Sequence, residues 1–307
     1  MNTNNYLEKR SYLFLFLGYA IFGFSFMFSK NALSIASPFL MLGFRFTIAF
    51  LIMQVLFIWK KKKLKLKGKK VGILLLLGLV QPVTYFIGES YGVRLLQTSY
   101  VGIIISLIPL VSFYFGFLFL KETVKLRHIL LGTLSIVGVT VTTLGEQVAS
   151  FSFLGFFFIL ISVISAAFFN VFSRKIAPLY DTYERTYLMF FMGMIVFIPL
   201  GLIQNSTDLQ RALLTVFSSP RFFIDMIYLA GISSVLAFLM INDAMSYVKV
   251  SKAAIFANLT TVVSILAGVI FLQESFGWFQ LLGSLLIITS VYLMNQDKAI
   301  KQSEEGN

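Results

Sequence analysis

Long apolar runs recur along this chain near residues 11–29, 38–59, 71–91, 98–120, 127–145, 152–173, 186–203, 222–246, 252–272 and 276–295. A helix needs about 20 mostly apolar residues to cross the hydrocarbon core of a bilayer, and each run is close to that length. Inside lipid the backbone must satisfy its own hydrogen bonds, so a chain built of such runs folds as helices packed on helices. Composition agrees where it bears on this: 58% of the 307 residues are hydrophobic and 12% are charged. A soluble domain carries about 25% charged residues, so polar surface is too scarce here to cover a globule in water. The sequence therefore predicts an all-α integral membrane protein of ten spans. Lys9 and Arg10 precede the first run, but that run exceeds the 7–15 residues of a signal-peptide core and reads as a retained helix.

The basic residues orient these spans. With a cytoplasmic N-terminus, 20 Lys and Arg fall in inner segments and four, Lys30, Arg94, Arg211 and Arg221, in outer ones; Arg45 lies within a span. Positive charge gathers on the cytoplasmic side of membrane proteins, so both termini are expected in the cytoplasm and the protein in the cell membrane. Eight lysines crowd into KKKKLKLKGKK, residues 60–70. Beside a span, such a run reads as a topological anchor that can also touch anionic lipid. Nothing in its surroundings suggests a nucleic-acid surface.

Part of the sequence is written twice. Residues 98–122 match 250–274 at nine of 25 places with a constant offset of 152, including Ser99/Ser251, Ser112/Ser264, Gly116/Gly268 and Glu122/Glu274. The small residues four apart suit close helix packing, and Thr123 or Ser275 is placed to cap the helix that follows. A repeat unit of five spans, an odd number, must enter the membrane from the opposite side the second time. The expected architecture is two inverted-topology five-helix repeats, 11–145 and 152–295, between an N-terminal segment 1–10 and a tail 296–307.

The chain resembles the EamA-type drug/metabolite transporter superfamily. The resemblance rests on GFSFMFSKNALSIASPFLMLGFRF (residues 23–46), with Gly23, Ser29, Lys30, Pro38 and Arg45, on Pro109, and on the span-ending Glu122 and Glu274. Thr261 stands where the first repeat has Pro109. What the resemblance implies is transport of small metabolites, amino acids or drugs by alternating access, with export as the expected direction.

Polar residues inside spans mark the candidate substrate site, since facing lipid is costly for them. Gln81, Tyr85 and Glu89 recur at i, i+4 and i+8, one face of a regular helix. Glu89 reads as a coupling or cation-binding carboxylate, or as a solvated group paired with Arg94. Ser25, Ser106, Asn170, Asn258 and Thr261 complete the candidate set, each with helix–helix bonding as its competing role. Arg45 reads as structural, and Asp243 as the partner of Lys249 or Lys252. The many Phe are expected to face lipid, with Tyr12, Trp59 and Trp278 in the interfacial belt.

No cysteine and a single histidine leave no Cys-based or His-cluster metal site, and neither metal nor cofactor is expected. A phosphate-binding loop is absent, which removes ATP hydrolysis by this chain. The competing readings are a membrane-embedded enzyme, a flippase of lipid-linked substrates with the same architecture, and a channel. The enzyme would need clustered acids and the channel a selectivity element.

Overall fold

The computed structural model describes residues 3–59, 71–120, 126–144, 152–176, 179–244 and 250–304, and among them every regular element is helical. The lysine run 60–70, Glu122 and Thr123 lie outside the described residues.

Helices α1 (Thr3–Leu33) and α2 (Pro38–Trp59) are joined by a short turn, and Pro38 opens α2 where its missing N–H costs nothing. The next span is α3 (Val71–Gly78), a π-helical segment Leu79–Thr84 and α4 (Tyr85–Leu95). The fourth is two pieces, α5 (Thr98–Ile105) and α6 (Ile108–Leu120). Then come α7 (Leu126–Leu144), α8 (Phe153–Ile176) and α9 (Thr182–Gln204); Asp181 and Glu184 form a capping box at the start of α9. A short α10 (Leu209–Phe217) leads to α11 (Pro220–Met226), a π-helical segment Ile227–Ala237 and α12 (Phe238–Ala244). Helices α13 (Val250–Phe271) and α14 (Trp278–Glu304) complete the described chain.

Among the described residues, seven helical stretches are long and apolar enough to cross a bilayer: Lys9–Leu33, Pro38–Trp59, Val71–Leu95, Thr98–Phe119, Phe153–Ser173, Thr182–Gln204 and Pro220–Ala244. Three expected spans have shorter apolar portions, Ile129–Val141, Leu259–Phe271 and Trp278–Ser290. Helix α14 continues through Glu304, past the expected start of a tail at 296.

Packing is pairwise. Helix α1 lies on α13 and on the α11–α12 rod; α8 lies on α5–α6 and on the α3–α4 rod; α2 packs on α9, and α7 on α14. The interior is aromatic: Phe46 meets Phe86 at 5.0 Å and Phe197 at 5.5 Å, and Phe46, Phe190, Phe197 and Phe222 are buried. These rings fill the spaces between helices, while Phe16, Phe117, Phe119, Phe153 and Phe271 are exposed on the outside. Leu51, Val55, Ile58, Leu76, Leu118, Phe157 and Ile270 stay exposed as an apolar girdle, and Trp59 and Trp278 are exposed at helix termini. Tyr12 stacks on Phe256 of α13 at 5.9 Å.

One proline shapes the third rod. Pro82 has no N–H to donate, and the residue before a proline is driven out of the helical region. Gln81 accordingly takes φ −141° and ψ 114°. Hydroxyls serve nearby carbonyls: Ser165 donates to Val80 O at 2.6 Å, Ser162 to Tyr85 O at 2.8 Å and Thr84 to Leu79 O at 2.9 Å. The fourth span breaks just before Pro109, at Ser106 and Leu107, whereas α13 runs unbroken through Thr261.

Candidate functional site

A buried charge pair sits where α2, α4 and the second π-helical segment meet. Arg45 of α2 and Glu89 of α4 are each 2% exposed, and Arg45 Nη1 stands 3.8 Å from Glu89 Oε1. The guanidinium is held from two sides. Its Nε donates to Ser234 Oγ at 3.0 Å and its Nη2 to Ser233 Oγ at 3.5 Å, and its plane lies over the Phe86 ring at 4.4 Å. Cation–π contact of this kind helps hold a desolvated arginine. The hydroxyls of Tyr85 and of Ser29 on α1 lie beside the Glu89 carboxylate.

The pair is under-satisfied. At 3.8 Å it is an ion pair without a hydrogen bond. Arg45 Nη1, Glu89 Oε1, Ser29 Oγ and Ser90 Oγ are all buried with no hydrogen-bond partner. Unmet donors and acceptors in a low-dielectric interior are expensive, and they persist where water or a ligand satisfies them part of the time. The pair offers a donor of positive charge and an acceptor of negative charge, with the hydroxyls of Tyr85 and Ser29 beside them. A lone carboxylate beside a guanidinium is a poor cradle for a metal ion, since the fixed cation repels it. Such a site suits a polar organic solute.

The pair lies toward the end of the molecule that carries the 34–37 turn. Arg45 is seven residues past Pro38 and Glu89 six before Leu95, so both are about 10 Å from the helix ends. Neighbouring contacts tie that end together. Lys30 donates to Leu96 O, Gln204 Nε2 to Tyr91 Oη at 3.0 Å, and Asn205 Nδ2 to Ser37 Oγ at 2.8 Å. A shallow cavity of about 280 Å³ opens there, between Ser37, Leu40, Asn205 and Arg211.

The structure brings Tyr85 and Glu89 together with Arg45 and distributes the other candidates differently. Gln81 is largely buried, but its extended backbone takes it off the regular i, i+4, i+8 face, a correction that follows from Pro82. Ser25, Ser106 and Thr261 donate to carbonyls, Phe22 O at 2.7 Å, Ile103 O at 2.6 Å and Gly102 O at 3.0 Å; only the last links separate helices, α13 to α5. Asn170 is exposed and its Nδ2 is 3.4 Å from Ser112 Oγ, bridging α8 to α6. Asn258 stands on α13, and its side chain lies outside what the structure describes.

Three further pairings differ from the sequence reading. Glu89 is buried against Arg45, while Arg94 is exposed. Asp243 pairs with Arg10 at 2.6 Å across α1 and α12, while Lys249 and the side chain of Lys252 lie outside the described residues. Ser275 does not cap α14; Gln280 does that work by accepting from Gly277 N at 2.9 Å. The sequence reading had set Arg45 aside as structural, and it missed Ser90, Ser234 and Asp225. Asp225 is 2% exposed with an unpartnered Oδ2. Its signal was present as an acid in the apolar run FFIDMIY.

Comparison with known proteins places this chain among transporters. The EamA-like transporter family matches residues 9–144 and 153–296. An uncharacterized transporter of Bacillus subtilis (strain 168), YcxC, is 31% identical over 302 residues, 97% of each chain. A second from that organism, YvbV, is 25% identical over 97% of this chain and 96% of its own. An uncharacterized transporter of Archaeoglobus fulgidus is 22% identical over 93% of this chain and 98% of its own. One solved crystal structure superposes on 92% of this chain and 94% of its own with a TM-score of 0.63 at 15% identity, a likeness of fold alone.

Proposed function

Because the chain belongs to the EamA-like transporter family and is a multi-pass membrane transporter, we propose that it is a secondary carrier working by alternating access. Its substrate is a small metabolite, amino acid or drug, and export is the direction to test first. The carrier has ten spans in two inverted halves, 11–145 and 152–295, with both termini in the cytoplasm of the cell membrane. Residues 60–70 anchor the inner face and touch anionic lipid.

The observation that carries this reading is the buried, under-satisfied Arg45–Glu89 pair, enclosed between elements of both halves. Its surroundings support the reading too. The packing is reciprocal: the first helix of each half lies on the third and fourth rods of the other, second lies on second and fifth on fifth. The π-helical segments Leu79–Thr84 and Ile227–Ala237 fall at matching places when the offset of 152 is applied. Interrupted helices beside a polar site are the usual construction of carriers with inverted repeats.

Counterflow in proteoliposomes tests it. Purified protein loaded with unlabelled substrate is given tritiated amino acids and amines in turn. Saturable, trans-stimulated uptake that disappears in Arg45→Met is the expected result. Chemical turnover without vectorial movement would replace the carrier with a membrane enzyme. Non-saturating ion flux would replace it with a channel, and scrambling of lipid-linked solutes with a flippase.

A further inference from the structure

Glu274 lies just past α13, and the turn that carries it is shaped for it. Gln273 before it sits at φ 53°, a left-handed conformation that is unfavourable for a non-glycine residue. The turn is fastened by Glu274 N donating to Gly268 O at 3.1 Å. From there the carboxylate reaches across to the other half of the chain. Oε1 accepts from Thr98 N at 2.6 Å, and Oε2 accepts from Ser99 N at 2.9 Å and Ser99 Oγ at 2.7 Å. Thr98 and Ser99 open α5, where backbone N–H groups have no partner within the helix and the helix dipole favours an anion.

Gly268 makes the approach possible. A Cβ there would lie 2.3 Å from Glu274 Oε2 and 2.6 Å from Ser99 Oγ. Two neighbouring contacts fall on the same α4–α5 turn, Lys30 on Leu96 O and Gln97 Nε2 on Ser275 Oγ at 3.4 Å. Beyond α5 the helix is interrupted by a turn at Ser106 and Leu107, so the short helix that Glu274 grips is a separate piece from α6. The Arg45–Glu89 pair lies about two helical turns below this end.

We propose that Glu274 is the gate residue of the transporter on the face carrying the 34–37 turn. Its carboxylate, docked on the start of α5, holds that face closed over the buried pair, and its release lets the face open. The inference rests on the alternating-access reading, but its test does not use transport.

The chain has no cysteine, so Ser29→Cys beside Glu89 introduces a unique thiol at the pair. Its modification by a membrane-impermeant methanethiosulfonate is timed in right-side-out and inverted vesicles. Glu274→Gln sets an amide N–H₂ against the two backbone donors, and Gly268→Ala displaces the carboxylate without removing a polar group. Both variants should speed labelling from the 34–37 face by at least about tenfold, with no gain from the opposite face. Ser99→Ala, which deletes one of three bonds, should fall between. Parental rates in all three, or equal acceleration from both faces, overturn the gate. A one-sided acceleration in a protein that shows no counterflow of any solute would keep the gate and remove the carrier.

Discussion

Deleting one member of a buried ion pair strands the other charge in a medium that cannot solvate it. For Arg45 and Glu89 that cost is expected to be about 3–5 kcal/mol for either Arg45→Met or Glu89→Gln. The double variant should melt above both singles, because neither polar head then remains as an uncompensated charge; melting curves in detergent would read this. Singles and double melting alike would mean that the two groups are not coupled. Glu89→Gln also isolates the coupling role. Under an imposed proton gradient it should abolish gradient-driven accumulation while leaving counterflow at equal pH measurable, and unchanged accumulation would exclude Glu89 as the coupling carboxylate. Both charges were visible in the sequence as exceptions within apolar spans, but their partnership was not. A sequence offers only adjacency, so Arg94 stood as one possible partner of Glu89 beside its coupling role, and nearby lysines stood beside Asp243. Arg45 and Arg10, which the structure sets against these acids, arrive from distant helices.

At the scale of elements, proline was readable and its consequences only partly so. Pro82 announces a kink, but an i, i+4, i+8 face presumes a regular helix, and the extended Gln81 breaks that register. The hydroxyls of Ser162 and Ser165 that serve the rod's carbonyls come from α8, which no local pattern could reveal. The repeated small residues were legible as packing devices. Ser264 meets Gly102 where α13 crosses α5, so closely that a Cβ on Gly102 would fall 1.7 Å from Ser264 Oγ and 2.8 Å from its Cβ. Gly102→Ala should therefore destabilise by about 1–3 kcal/mol, as overpacking does. Adding Ser264→Gly should restore much of the loss, since it removes both clashing atoms. A double variant no more stable than Gly102→Ala would show that the two helices do not meet there.

Across the whole molecule, the length of the apolar runs and the scarcity of charge were enough to predict helices in a membrane, because lipid permits few alternatives. Where elements meet is another matter. The 152-residue offset shows in sequence at helices four and nine, yet the reciprocal packing of α1 on α13 and α8 on α5–α6 had to be seen. That packing suits a two-fold axis lying in the membrane plane, and such an axis has a consequence for charge. Glu122 runs into KETVKLRH and Glu274 into QESFGWFQ, so one copy of the same phrase ends among positive charges and the other among none. If the halves are inverted, the basic copy faces the cytoplasm and the neutral copy the outside. Thr123→Cys and Ser275→Cys, introduced singly into this cysteine-free chain, should then react with an impermeant maleimide from opposite sides of the membrane. Ser275→Cys should label in intact cells, and Thr123→Cys only after permeabilisation or in inverted vesicles. Labelling of both from one side would place the two copies in the same orientation, and the reciprocal contacts would need another cause than inversion.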